Sequence, residues 1–70
     1  MTMTDRDRCE LADLCNRAAD IAVSAHGLSL RFRMPEDGRR AFELFALQGR
    51  KPERIDDCRM HVPAREVGAP

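Results

Sequence analysis

Seventy residues give room for one domain with a thin core, and with three Phe and no Trp or Tyr that core must rest on Leu, Ile, Val, Met and Ala. Chains of this size often lean on a staple, a metal or a second subunit, so a homodimer is one expected way of extending the core. Twelve basic and twelve acidic residues cancel to a formal net charge of zero, which argues against a dedicated high-affinity nucleic-acid binder.

The charge is not evenly spread. Residues 1–27 carry three Arg against five acids, residues 28–51 carry five Arg and one Lys against three acids, and residues 52–70 carry three Arg against four acids. The middle is therefore basic and the two flanks are acidic. Eleven of the twelve basic residues are Arg, the side chain suited to planar, bidentate recognition of anions. Three cysteines cannot all pair within one chain, and no apolar run near the N-terminus has the length of a signal peptide or a membrane span. These features are expected of a cytoplasmic protein with free thiols and no membrane association.

In chain order, residues 1–4 are expected to fray. Thr4 and Asp7 fit the pattern in which a hydroxyl and a carboxylate three residues on satisfy the free amides of a helix start. Leu11, Leu14, Cys15, Ala18, Ile21, Ala22 and Ala25 fall within an arc of about 120° on a helical wheel. Glu10, Asp13, Asn16, Arg17, Asp20 and Ser24 take the other side. The spacing predicts a long amphipathic helix over residues 5–25, with Asp13 and Arg17 as a surface pair, His26 in its last turn and Gly27 as its stop. Its alanine-rich face would lie flat on a sheet, or would serve as a helix–helix dimer seam.

Residues 28–34 alternate without error. Leu28, Leu30, Phe32 and Met34 face one way and Ser29, Arg31 and Arg33 the other, the signature of a half-buried strand. Residues 35–38 read either as a hairpin turn or as a first helical turn opened by Pro35 with Glu36 and Asp37 placed for the dipole. The clustering of Ala41, Phe42, Leu44 and Phe45 on one helical face, followed by Gly49 and Pro52, selects the helix over the hairpin for residues 39–48. Cys58, Met60 and Val62 alternate with Arg59 and His61, predicting a short strand over residues 58–62 ended by Pro63. A right-handed crossover would set it parallel to the first strand, although the connection is long enough for other arrangements. The whole reads as an α+β mini-domain over residues 1–63 in the order helix, strand, helix, strand, with residues 64–70 a flexible tail.

Little in the chain points to catalysis or to a cofactor. Cys58 and His61 have ligand-like spacing, and Cys9, Cys15 and His26 could be enlisted with them. Yet Cys9 and Cys15 diverge by about 120° on a helix, and Cys58 and His61 point to opposite faces of a strand, so no metal site is expected. Cys15 and Cys58 are expected as small core residues, Cys9 as an exposed thiol and His61 as a surface residue. Cys9 sits among acids that disfavour its thiolate, and no nucleophile elbow, phosphate loop or zinc-protease motif occurs, so an enzyme is not expected.

The basic set is the most specific surface feature. Arg31 and Arg33 project from the polar side of the strand, Arg39 and Arg40 open the next helix, and Arg50 and Lys51 close it. The plain alternative is a solvated face balanced by Glu36, Asp37 and Glu43. The expected role is that of a small protein-binding regulator, inhibitor or accessory subunit, a profile shared by short proteins that phages and mobile elements use against host defences. Arg31, Arg33, Arg39 and Arg40 would form its contact surface. The alternative is a nucleic-acid-binding regulator using the same arginines, although no aromatic is interleaved with them for base stacking. A strand over residues 28–34 with no internal proline would also be open to strand addition by a second copy or a partner.

Overall fold

A computed structural model describes residues 3–64. It contains α1 (Asp5–Asn16), β1 (Asp20–Ser24), β2 (Gly27–Arg31), α2 (Pro35–Leu47), β3 (Glu53–Arg54) and β4 (Arg59–Pro63). The four strands form one sheet in the order β1-β2-β4-β3, every neighbouring pair antiparallel. The α+β class holds, and two strands absent from the sequence reading, β1 and β3, enlarge the sheet.

The start of α1 follows the local chemistry. The Thr4 hydroxyl accepts from the Asp7 amide at 3.1 Å, and the Asp7 carboxylate accepts from the Thr4 amide at 3.3 Å. Of the N-terminal residues expected to fray, Thr4 forms this cap and Met3 lies in the core at 7% exposure, while residues 1–2, and residues 65–70 of the expected tail, lie outside the described residues. The helix stops at Asn16, well short of residue 25. Residues 18–25 fit a helical wheel largely through alanines, which carry little periodic information. The same segment holds the β-branched Ile21 and Val23, and these take strand pairs instead, Ile21 opposite Leu30 and Val23 opposite Leu28. Arg17 becomes the C-cap and pairs with Asp37 of α2 at 3.6 Å, not with Asp13.

His26 and Gly27 therefore belong to a hairpin rather than a helix end. The Ser24 hydroxyl accepts from the His26 amide at 3.2 Å. Gly27 sits at φ +135°, and a Cβ there would fall 2.2 Å from the Val62 carbonyl oxygen. Only glycine meets both conditions.

β2 carries the alternation read from the sequence as far as Phe32, whose amide donates to the Cys58 carbonyl at 2.7 Å. Met34 departs from it: the residue is 52% exposed and stands at the N-cap of α2. Pro35 takes the first helical position, Glu36 and Asp37 the first turn, so residues 39–48 are helical as the apolar clustering required. β4 runs antiparallel to β2, not parallel, with Leu28 opposite Val62 and Leu30 opposite Met60. The reason is β3. After α2 the chain makes one more pass along the sheet before a turn at residues 55–58 reverses it into β4. The Asp56 carboxylate holds that turn, accepting from the amides of Cys58 at 2.9 Å and Arg59 at 2.8 Å.

Both helices cover one side of the sheet. Leu30 and Phe32 of the β2 run, Met60 and Val62 of β4, and Ala41, Leu44 and Phe45 of α2 make the centre of the core. α1 joins it through Leu11 and Leu14, with α2 as its main neighbour. The opposite side of the sheet, bearing Ser29, Arg31, Arg59 and His61, has no helix over it among the described residues. Among the described residues no helix is long and apolar enough to cross a membrane.

Candidate functional site

The four arginines singled out from the sequence do not form one patch. Arg40 is half-buried between the helices. Its Nε and Nη2 donate to the two oxygens of Glu10 at 2.7 and 3.0 Å, and Nη1 donates to Glu43 at 3.2 Å. Asp7 lies 3.7 Å from the same guanidinium. The hydrogen bond from Arg40 holds the Glu10 carboxyl below its ordinary pKa, and the reciprocal bond from Glu10 raises that of Arg40. Surrounded by three carboxylates, Arg40 is a strut between α1 and α2.

Arg31 and Arg33 behave differently. Both are exposed, Arg31 on the open side of β2 and Arg33 just beyond its end. Neither has a carboxylate within ion-pair distance among the described residues, and the same holds for Arg39. In register, Arg31 faces Asp20 of β1 on one flank and Arg59 of β4 on the other. Like charges directly opposite in a sheet repel. Arg59 is held away from free service by Asp56, whose Oδ2 accepts from its Nε at 2.6 Å. That bond, first, and the amides of Cys58 and Arg59 keep the Asp56 carboxyl below its ordinary pKa.

These residues border a shallow, open groove. Arg31, Arg33, Phe32 and Pro35 form one bank, and Cys58, Arg59 and the acids Asp56 and Asp57 the other. Beyond Asp56 and Asp57 the surface continues into a second cleft of about 300 Å³ between α2 and the β3–β4 turn, where Arg39 lies beside Phe42, Glu43 and Met60. Arg39 thus stands across the acidic turn from Arg31 and Arg33. Arg54 pairs with Asp57 at that turn.

The remaining basic residues divide in the same way. Arg50 folds back, its Nη2 donating to the Pro63 carbonyl at 3.0 Å while Nε is buried without a hydrogen-bond partner among the described residues. Lys51 is exposed. The residues missed from the sequence are Arg59, which the register sets beside Arg31, and Asp56, which neutralises it. A signal was available: Asp56 three residues before Arg59 is the spacing of a local turn pair.

The thiols do not converge. Cys9 is exposed, Cys15 and Cys58 are half-buried, and burial pushes the Cys15 thiol pKa up, away from the reactive thiolate. Among the described residues no three His, Cys, Asp or Glu side chains are grouped to hold a metal ion. His61 lies on the open side of the sheet, its Nδ1 3.2 Å from the Ser29 hydroxyl.

No family model matches this chain, and no curated protein or solved structure is significantly similar to it.

Proposed function

We propose that this protein is a small non-enzymatic binding module, acting as a regulator, inhibitor or accessory subunit, and that it grips an acidic surface of a protein partner with Arg31 and Arg33. One observation carries the reading. Two exposed guanidinium groups border one groove at the end of β2 with no carboxylate in ion-pair distance among the described residues, and one of them is set opposite a third arginine. A carboxylate from outside would supply the missing counter-charge to Arg31 and Arg33, and arginine binds carboxylates bidentately. Arg39 extends the contact across the Asp56–Asp57 turn. Arg40 drops out of the contact set because its charge is already spent on Glu10, Glu43 and Asp7. The unpaired number of cysteines supports a reducing compartment, the cytoplasm.

The acids on the far bank of the groove support a protein partner over a nucleic acid, since phosphates would meet Asp56 and Asp57 as well as the arginines. The open side of the sheet also lacks an exposed aromatic on which a base could stack.

The test is a pull-down of the tagged protein from lysate of its source, with and without nuclease, beside the R31E/R33E variant. The expected result is a protein partner that survives nuclease and is lost with R31E/R33E, while the far-UV circular dichroism stays unchanged. Retention by R31E/R33E would overturn the reading. Partners that vanish with nuclease, with binding that falls steeply with salt, would replace it with nucleic-acid binding.

A further inference from the structure

The two edges of the sheet are built differently. β3 is two residues long, both charged, and follows Pro52, which are the usual means of keeping an edge from pairing. Of these protections β1 has only one charge, Asp20 at its start. It is five residues long, its sequence is Asp-Ile-Ala-Val-Ser, and it contains no proline, lysine or arginine. All five residues are exposed, and among the described residues the strand has a neighbour on one flank only.

Its side chains are divided by face. Ile21 and Val23 are in register with Leu30 and Leu28, so they lie on the helix side of the sheet. The helices do not reach them: Val23 is 79% exposed and Ile21 43%. Asp20, Ala22 and Ser24 lie on the open side.

We propose that a second copy of this chain docks on β1, antiparallel and centred on Ala22, to make a continuous eight-stranded sheet. The strand is self-complementary in that register. A two-fold axis through Ala22 sets Ile21 opposite Val23 of the second copy and Val23 opposite its Ile21, joining the two exposed apolar patches on the helix side. On the open side Ala22 meets Ala22 of the second copy, and Asp20 meets its Ser24. No like charges oppose each other. Moving the axis two residues to Asp20 would bring the two aspartates together. Moving it to Ser24 would strip both Ile21 side chains of partners within the strand.

The contact is short, below the roughly 1,200 Å² of a standard interface. The dimer is therefore weak, with a dissociation constant of about 10 μM to 1 mM. This inference is independent of the arginine reading, since β1 contains no arginine.

Sedimentation equilibrium of the wild-type chain and of Val23→Lys tests it. At 79% exposure the Val23 side chain is replaceable without disturbing the core. The expected result is a concentration-dependent dimer that V23K weakens at least tenfold, with unchanged circular dichroism. Register is read separately by Ala22→Cys in a chain whose three native cysteines are replaced by alanine or serine. Two residues opposite each other across an antiparallel pair lie about 4.5–5.5 Å apart at Cα, within disulfide reach. A22C should give a covalent dimer under mild oxidation, and Ser24→Cys, whose counterpart across the axis is Asp20 and not the same position of the second copy, should give little. A wild-type chain that stays monomeric to millimolar concentration would overturn the proposal. So would a dimer indifferent to V23K, or one that A22C fails to cross-link.

Discussion

At the scale of single residues, the informative group is Arg40. Its local partner Glu43, three residues on, does not explain it, because the bidentate pair is made with Glu10, 30 residues earlier in the chain. That is why the sequence reading grouped it with Arg31 and Arg33. By contrast the Thr4–Asp7 cap was legible, since both halves of it sit within one helical turn. The Arg40–Glu10 pair also has a pH signature. The folded-state pKa of Glu10 lies below its ordinary 4.5, so the carboxylate stabilises the fold above that value and the contribution fades as pH falls through the folded pKa. Glu10→Gln should therefore lower Tm at neutral pH and reduce the fall in Tm between pH 6 and acid, read by thermal melts across that range. A full wild-type acid dependence in E10Q would show that the pair contributes nothing. Asp56 works in the same direction, so part of the acid sensitivity should remain in E10Q.

At the scale of elements, glycine decides two placements. Gly27 opens β2 with a positive φ and no space for a Cβ, so Gly27→Ala should cost more than about 2 kcal/mol, measured by urea unfolding. Gly38 lies inside α2, where alanine would ordinarily gain about 1 kcal/mol. Here a Cβ would lie 2.5 Å from the Asp57 carbonyl oxygen, so Gly38→Ala should destabilise by separating α2 from the β3–β4 turn. A stabilised G38A would refute that close approach. β2, α2 and β4 were legible as elements because each has a clean period, two for the strands and 3.6 for the helix. β1 was not. Its alternation spans five residues flanked by alanines that fit a helical wheel equally well, and tertiary pairing with Leu28 and Leu30 decided the matter. β3, two charged residues long, has no period at all. For the site, the open-side placement of Arg31 was legible from alternation, whereas its neighbours Asp20 and Arg59 were set by strand register, which no short-range pattern encodes.

At the scale of the whole molecule, ten buried apolar residues hold the described fold together. Stability of about 0.05–0.15 kcal/mol per residue gives a chain of this size only about 3–10 kcal/mol in total. Leu44 is completely buried where α2 meets the sheet. Leu44→Ala should cost about 2–5 kcal/mol, a large share of that total, and leave a population of unfolded chains at 25 °C visible by circular dichroism. A melting curve within a few degrees of wild type would mean that the core repacks around the gap. If β1 pairs with its copy, the same variant should be partly rescued at high protein concentration, because dimerisation stabilises the folded state by mass action.

The strand order β1-β2-β4-β3 has a consequence for how the chain is made. β4 is the last of the described strands to be synthesised, yet it lies in the interior of the sheet and supplies Met60 and Val62 to the core. A ribosome adding about 5–20 residues per second would release α1, the β1–β2 hairpin and α2 before anything could join them across the middle. The nascent chain would therefore carry exposed Leu30, Phe32, Leu44 and Phe45 until residue 63 cleared the exit tunnel. Those side chains find their cover only when β4 joins β2 in the middle of the sheet.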